Sequence, residues 1–240
     1  HYNGKGVNIG ANASMGSLIN SGTIKGKGNR YNGYGILMNS TNGTLSSFTN
    51  TSSGIIEGIS GEGINGGDTY GSNAYGSYIN SSDSIAATLD NDGIIRGLSD
   101  VNTGVGLHLR SKFSTIDNSG TILGQTDTYM AYGMGMETGK TGRPITTLNN
   151  SGTVSGVTGW NQAYGLYNSA SIGTINNSGI INATASTNKS YGVVLDANNS
   201  DMTVTNFNNT GTISASSGTH TSYGIELKGS SPVSYTHLRA

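Results

Sequence analysis

The chain has 240 residues, only 10% of them charged, with Lys plus Arg 12 against Asp plus Glu 13 and a formal net charge of −1. The charges are scattered singly, so there is no basic stripe of the kind DNA or RNA binding needs, which points away from nucleic acid as a partner. Cysteine is absent, which rules out a disulfide framework and any thiolate metal site.

Gly, Asn, Ser and Thr take the place of charge. Weakly hydrophobic chains of this kind can stay disordered, because they bury too little apolar surface to offset chain entropy. Three features oppose that reading: net charge is near zero, apolar residues recur in register, and Tyr and β-branched residues occupy the recurring positions. No apolar run approaches the length of a membrane span, and no signal peptide opens the chain.

The first predicted element, Gly6-Val7-Asn8-Ile9, reads as the tail of an earlier coil whose front is missing. A motif then recurs seven times: residues 18–26 (LINSGTIKG), 48–58 (FTNTSSGIIEG), 89–97 (LDNDGIIRG), 116–124 (IDNSGTILG), 148–156 (LNNSGTVSG), 175–183 (INNSGIINA) and 207–215 (FNNTGTISA). Its turn glycines are Gly22, Gly54, Gly93, Gly120, Gly152, Gly179 and Gly211, a period of 27 to 39 residues. Such periods signal solenoids, propellers or arrays.

A second motif follows each turn: Tyr34-Gly35, Tyr75-Gly76, Val105-Gly106, Tyr132-Gly133, Tyr164-Gly165, Tyr191-Gly192 and Tyr223-Gly224, each leading a short apolar run. In six copies its glycine lies 13 residues after the turn glycine; the second copy is longer, by an insertion near 61–69. A third short strand is expected just before each Leu/Phe-x-Asn, as in Thr44-Leu45-Ser46 or Met202-Thr203-Val204.

Period-two alternation places Leu18, Asn20, Ile24 and Gly26 on one side of the chain. Three aligned columns follow: Leu18, Phe48, Leu89, Ile116, Leu148, Ile175, Phe207; Ile24, Ile56, Ile95, Ile122, Val154, Ile181, Ile213; and, between them, Asn20, Asn50, Asn91, Asn118, Asn150, Asn177, Asn209. The apolar columns are predicted to face inward. Stacked Asn side chains can hydrogen-bond along a stack, and the column is read as turn chemistry, its glycine giving a positive φ or a close backbone approach. The Tyr-Gly runs add inward columns from Ile36 to Ile225 and from Met38 to Leu227.

Three short parallel strands per repeat define the fold class: all-β, a parallel β-helix of about seven coils spanning 1–230, on the order of 34 Å long at strand spacing. A propeller blade of four antiparallel strands needs about 40 residues, too many for the shorter repeats. Residues 231–240 (SPVSYTHLRA) leave the repeat and resemble the adaptor read-through tail of some metagenomic gene predictions.

The NSGTI-x-G and YGI-x-L pairs resemble the passenger repeats of bacterial autotransporters, the type V secretion proteins, over roughly 6–229. The resemblance implies a right-handed β-helical stalk, export through a C-terminal outer-membrane β-barrel, and a place at the cell surface or outside the cell. It also implies roles in adhesion, aggregation or virulence, with partners on host or neighbouring cells, either a glycan or a protein receptor; exposed, uncapped end coils lead separately to an expectation of self-association.

β-Helices also cut polysaccharide, chemistry that needs paired acids within about 5–9.5 Å. The candidate acids are Glu137, Asp196 and Glu226 in or after the Tyr-Gly runs, and Asp90 and Asp117 at one outward position of consecutive coils. Other coils put Ile19, Thr49, Asn149, Asn176 and Asn208 at that position, so it reads as polar exterior. Glu226 and His108 share an outward column four coils apart, on the order of 19 Å.

His1, His108, His220 and His237 show no metal-ligand spacing. Residues 61–68 (GEGINGGD) are faintly similar to calcium-binding glycine-aspartate repeats but occur once, and are read as an inserted loop. Asn149-Asn150-Ser151 matches a glycosylation acceptor, a match that composition alone supplies. The outward column Leu37, Tyr78, His108, Gly135, Tyr167, Val194, Glu226 is apolar enough to mark a contact surface or a covered face. The six tyrosines before glycine are read as a stacked ladder.

No catalytic, cofactor-binding or metal residue is assigned, and no cofactor is expected. Two functions stay open: a non-enzymatic stalk segment acting by display and multivalent contact, and a secreted polysaccharide-degrading enzyme.

Overall fold

Because each repeat places the same residue types at the same strand positions, equivalent strands can stack in parallel. The computed structural model shows this stacking, and describes residues 2–40, 43–61, 72–81, 88–137, 145–197, 202–229 and the backbone of 233–238. The inserted loop 62–69 lies outside the described residues.

Three parallel sheets wind around one shaft. The Asn sheet comprises Met15–Asn20, Leu45–Asn50, Thr88–Asn91, Phe113–Asn118, Ile145–Asn150, Ile172–Asn177, Val204–Asn209 and Val233–Leu238. After a tight turn comes the Ile sheet: Thr23–Gly28, Ile55–Ser60, Ile94–Ser99, Thr121–Thr126, Thr153–Thr158, Ile180–Ala185 and Thr212–Ser217. The Tyr sheet comprises Gly4–Ile9, Gly33–Ser40, Ala74–Ser81, Gly104–Arg110, Ala131–Met136, Ala163–Asn168, Ser190–Asp196 and Ser222–Lys228. The protein is a parallel β-helix of seven full coils. Gly4–Ile9 pairs with the next Tyr-sheet strand in the expected register, Lys5 beside Tyr34 and Val7 beside Ile36.

One expectation is corrected. The third strand of each coil does not precede Leu/Phe-x-Asn but contains it, as in Leu45–Asn50, because the chain stays extended from one piece into the other. Val233–Leu238 also pairs with Val204–Asn209, although the sequence leaves it outside the repeat. Its register shifts twice along that pairing, as a segment without the repeat pattern would.

Inside the shaft, Phe48, Leu89, Ile116, Leu148, Ile175 and Phe207 stack in one column and Ile56, Ile95, Ile122, Val154 and Ile181 in another, all buried. Fully burying each such side chain is worth roughly 1.5–3 kcal/mol. Leu18, Ile24, Ile213 and Ile225, in the outermost coils, are only partly buried.

Between these columns runs an unbroken amide ladder. The Nδ2 of each Asn donates to the Oδ1 of the next, from Asn20 through Asn50, Asn91, Asn118, Asn150 and Asn177 to Asn209, at 2.7 to 2.8 Å. Each amide also reaches the carbonyl of its own turn glycine, for example Asn118 to Gly120 at 3.4 Å. From Gly54 onward the turn glycines serve close approach rather than positive φ: a Cβ on Gly120 would sit 2.1 Å from the Gly93 carbonyl oxygen, the acceptor of Thr121 N–H, whereas Gly22 in the first coil has open space.

On the outside of the Asn sheet a second amide ladder runs with the opposite polarity. Asn208 donates to Asn176, Asn176 to Asn149 and Asn149 to Asp117, at 2.7 to 2.8 Å. The ladder stops at Asp117 because an ionised carboxylate only accepts. Asp90 stands directly beside Asp117. Burial and the neighbouring Asp92 and Asp117 carboxylates push the Asp90 pKa above the ordinary aspartate value.

Ionised Asp90 therefore costs stability at neutral pH, and that cost fades as pH falls through its raised folded value. Asp90→Asn is expected to stabilise the protein at pH 7 by roughly 0.5 kcal/mol, the scale of a like-charge cross-strand pair. The gain should shrink towards pH 3. Urea unfolding at the two pH values checks it; an equal gain at both would show that charge is not the cause.

Candidate functional site

Charge and aromatic rings come together on the outward side of the Tyr sheet, in three columns. The first holds Tyr34, Tyr75, Val105, Tyr132, Tyr164, Tyr191 and Tyr223; the second Leu37, Tyr78, His108, Gly135, Tyr167, Val194 and Glu226. The third runs through Asn39, Asn80 and Arg110. Glu137 and Ser169 continue it, their N–H groups bonding the Leu109 and Met136 carbonyls, before Asp196 and Lys228.

The Tyr-Gly step breaks strict alternation. The glycine is pressed against the Ile sheet: a Cβ on Gly133 would lie 2.7 Å from the Ser155 nitrogen and from the Gly165 oxygen. The tyrosine ring is thereby left outside the shaft, in a separate apolar layer with Tyr167 and Val194.

Within that layer Tyr34 stacks on Tyr75 at 5.1 Å, and Tyr132, Tyr164, Tyr191 and Tyr223 stack in a row at 4.7 to 5.5 Å, with ring planes within 9°. Tyr78 lies edge-on to Tyr34 and Tyr75, and Tyr167 to Tyr132 and Tyr164. Such pairs contribute about 0.5–1.5 kcal/mol each beyond area. The six tyrosines form the expected ladder, interrupted at Val105. Inside the row the faces are spent on one another, and only the terminal Tyr223, stacked on Tyr191 alone, is exposed.

Outward Val194 is wholly buried under this layer, so the column is covered by its own side chains at that point, while Leu37, Tyr78, His108, Tyr167 and Glu226 stay partly exposed. Lys228 caps the row, its ammonium 5.2 Å from the Tyr191 ring centroid and 3.1 Å from Glu226. Burial pushes the Tyr75 hydroxyl up to about 12, and raises Tyr132, Tyr164 and Tyr167 well above the usual phenol range.

Among the described residues the layer has a gap at Gly135. Gly135 is buried, yet a Cβ on it would meet nothing within 4 Å, and Val105 replaces the ladder tyrosine in the adjoining strand. His108 flanks this gap, packed on Tyr78 at 5.0 Å and on Tyr75 at 5.8 Å. The buried His108 Nε2 has no hydrogen-bond partner and stands 3.6 Å from Glu137 Oε2, beyond hydrogen-bonding range.

Arg110 Nε lies 3.8 Å from the same Glu137 oxygen and its guanidinium also bonds the Tyr78 hydroxyl. The His108 ring, opposed by burial and joined by Arg110, holds the Glu137 carboxyl below the usual range. Val105, Gly135 and Arg110 were not singled out as a site by sequence; Val105 alone breaks a column of one residue type, visible once the repeats are aligned.

The other candidates scatter. Asp196 accepts from the Tyr167 hydroxyl at 3.0 Å and shares the Glu137 column two strands away, roughly 9.6 Å at strand spacing. Glu226 lies four strands from His108 in one column, as the repeat predicts. Asp90 and Asp117 adjoin on a different sheet. His220 Nδ1 is 2.5 Å from the Thr187 carbonyl, while His1 and the His237 side chain lie outside the described residues. Asn149, the acceptor position of the glycosylation triplet, is engaged in the outer amide ladder.

A further ion cluster sits on the Ile sheet, where Glu57 lies between Lys25 and Arg96 in consecutive coils. Lys25 Nζ is 2.8 Å from Glu57, and Arg96 binds its other oxygen. Burial works against the charged form, but the two cations outweigh it and hold Glu57 below the usual carboxylate range.

No family model, curated protein or solved structure matches this chain. Among the described residues no group of three or more His, Cys, Asp or Glu could hold a metal ion, and no helix is long and apolar enough to cross a membrane.

Proposed function

We propose that this chain is a stalk segment of an exported bacterial surface protein of the autotransporter type, non-enzymatic, acting by display and multivalent contact. The observation that carries this reading is the continuous shaft. Core columns and the amide ladder run through every coil, so each coil is held by its neighbours and the segment can serve as a stiff spacer. Length varies mainly where Tyr-sheet strands lead into the Asn sheet, from two residues at 111–112 to eight at 137–144, which lets loops change without disturbing the shaft.

The parent reading frame is expected to continue into an outer-membrane β-barrel, and antibody against this segment should label intact cells and lose its target after surface proteolysis. A parent without a barrel, or a segment reachable only after lysis, would overturn the reading.

The second reading, a polysaccharide-degrading enzyme, would use Glu137 and Asp196, which share an outward column two strands apart, at the upper limit for paired acids. Release of reducing ends from polysaccharide by purified protein, lost in Glu137→Gln, would establish it.

A further inference from the structure

The gap over Gly135 is more than a missing side chain, because the surface around it carries features that packing does not use. Two turns on the corner leading into the Tyr sheet stack on each other, Gly159 N–H bonding the Thr126 carbonyl and Thr158 Oγ1 the Tyr129 carbonyl at 2.7 Å. These turns carry Tyr129 and Trp160, residues that are 43% and 66% exposed. They lead directly into Ala131–Met136 and Ala163–Asn168, the strands that bear Gly135 and Tyr167. Three adjacent coils thus carry exposed residues at one corner, the gap at Gly135 in the middle strand, and Arg110, His108 and Glu137 beyond it.

The chemistry of this strip fits one class of ligand. Exposed indole and phenol faces suit the apolar C–H faces of a sugar ring. Glu137 supplies hydrogen-bond acceptors and Arg110 donors, while the buried His108 Nε2, with no hydrogen bond of its own, stands 3.6 Å from the carboxylate. Arg110 and Glu137 offset each other's charge at 3.8 Å, which favours an uncharged partner over a polyanion. A strand of six residues spans on the order of 20 Å, room for several linked sugars rather than one.

We propose that the strip from Trp160 and Tyr129 across the Gly135 gap to His108, Arg110 and Glu137 binds a neutral oligosaccharide. This deepens the contact role given above by naming its ligand class, and rests on that reading only for its biological setting.

Trp160 is the only tryptophan of the chain, so its fluorescence reports on this strip directly. The purified chain is titrated with maltohexaose, cellohexaose, mannohexaose and chitohexaose, and with heparin-derived and galacturonic hexasaccharides as acidic controls. At least one neutral hexasaccharide is expected to change Trp160 emission saturably. Calorimetry should then show binding at least tenfold weaker in Trp160→Ala, whose exposed ring makes it safe for folding, and in Gly135→Tyr, which fills the gap.

If Gly135→Tyr loses its far-ultraviolet signature, Glu137→Gln replaces it. No binding by any neutral hexasaccharide, binding of the acidic ones alone, or binding unchanged in Trp160→Ala and the gap variant would overturn the proposal. Binding accompanied by cleavage would leave this site standing and sink the non-enzymatic reading; binding by a protein not displayed on intact cells would sink the surface reading alone.

Discussion

Asn118→Ala is expected to remove about 3 kcal/mol of stability, although it deletes only a small polar side chain. Asn118 accepts from Asn91 and donates to Asn150, both at 2.7 Å, inside a shaft where all three residues are buried. The substitution strands the Asn91 Nδ2 and the Asn150 Oδ1, and each buried orphan costs about 1–3 kcal/mol. The weaker contacts of Asn91 Nδ2 to Gly93 and Thr121 carbonyls at 3.3 and 3.4 Å soften the first loss only in part.

Asn118→Asp should be worse at pH 7. Its carboxylate still accepts from Asn91 but faces the Asn150 oxygen, so the folded state prefers the protonated acid, and the deficit shrinks as pH falls through that raised value. Urea unfolding followed by circular dichroism, with hydrogen exchange read at Thr88–Asn91 and Ile145–Asn150, measures both effects. A loss under 1 kcal/mol with unchanged exchange in those strands would mean that the ladder contributes little.

The second large effect is a contrast between two glycines of one strand. Gly133→Ala is expected to cost about 3 kcal/mol, the upper range for overpacking. Its Cβ would lie 2.7 to 2.8 Å from the Ser155 nitrogen and oxygen and the Gly165 oxygen, all backbone atoms that can yield only by parting the sheets. Gly135→Ala, two residues on, meets open space and is expected to stabilise by about 0.5 kcal/mol, because glycine in a strand costs more chain entropy than alanine. Thermal melts of the two variants decide it. Equal destabilisation would show that the space over Gly135 does not exist.

Much of the architecture was legible because repetition converts sequence alignment into spatial adjacency. Aligning 18–26 with its six successors puts Asn20 over Asn50 and Ile24 over Ile56, pairings the coordinates reproduce. The Lys25–Glu57–Arg96 cluster was not read from the sequence, which showed only singly scattered charges, although those residues follow the Ile column in consecutive copies. The third strand was misplaced because its apolar residues Leu45 and Phe48 are three apart, a spacing that strict alternation does not join.

The candidate site was less legible. Alternation says which side a residue faces, not what covers it, so outward Val194 gave no sign of being wholly buried. Gly135 appeared as one member of a polar-to-apolar column, and only the arrangement of His108, Tyr167 and Glu137 around it reveals a gap.

The sequence by itself determined the parallel coil, its register, and the Asn, Ile and Tyr columns, because a strand stacked on its own repeat has no freedom in which residue it meets. Tertiary structure alone decided the opposite polarity of the two amide ladders, the role of the turn glycines and the outer aromatic layer. Each depends on hydrogen-bond direction, interatomic distance or ring orientation, and a one-dimensional pattern carries none of these.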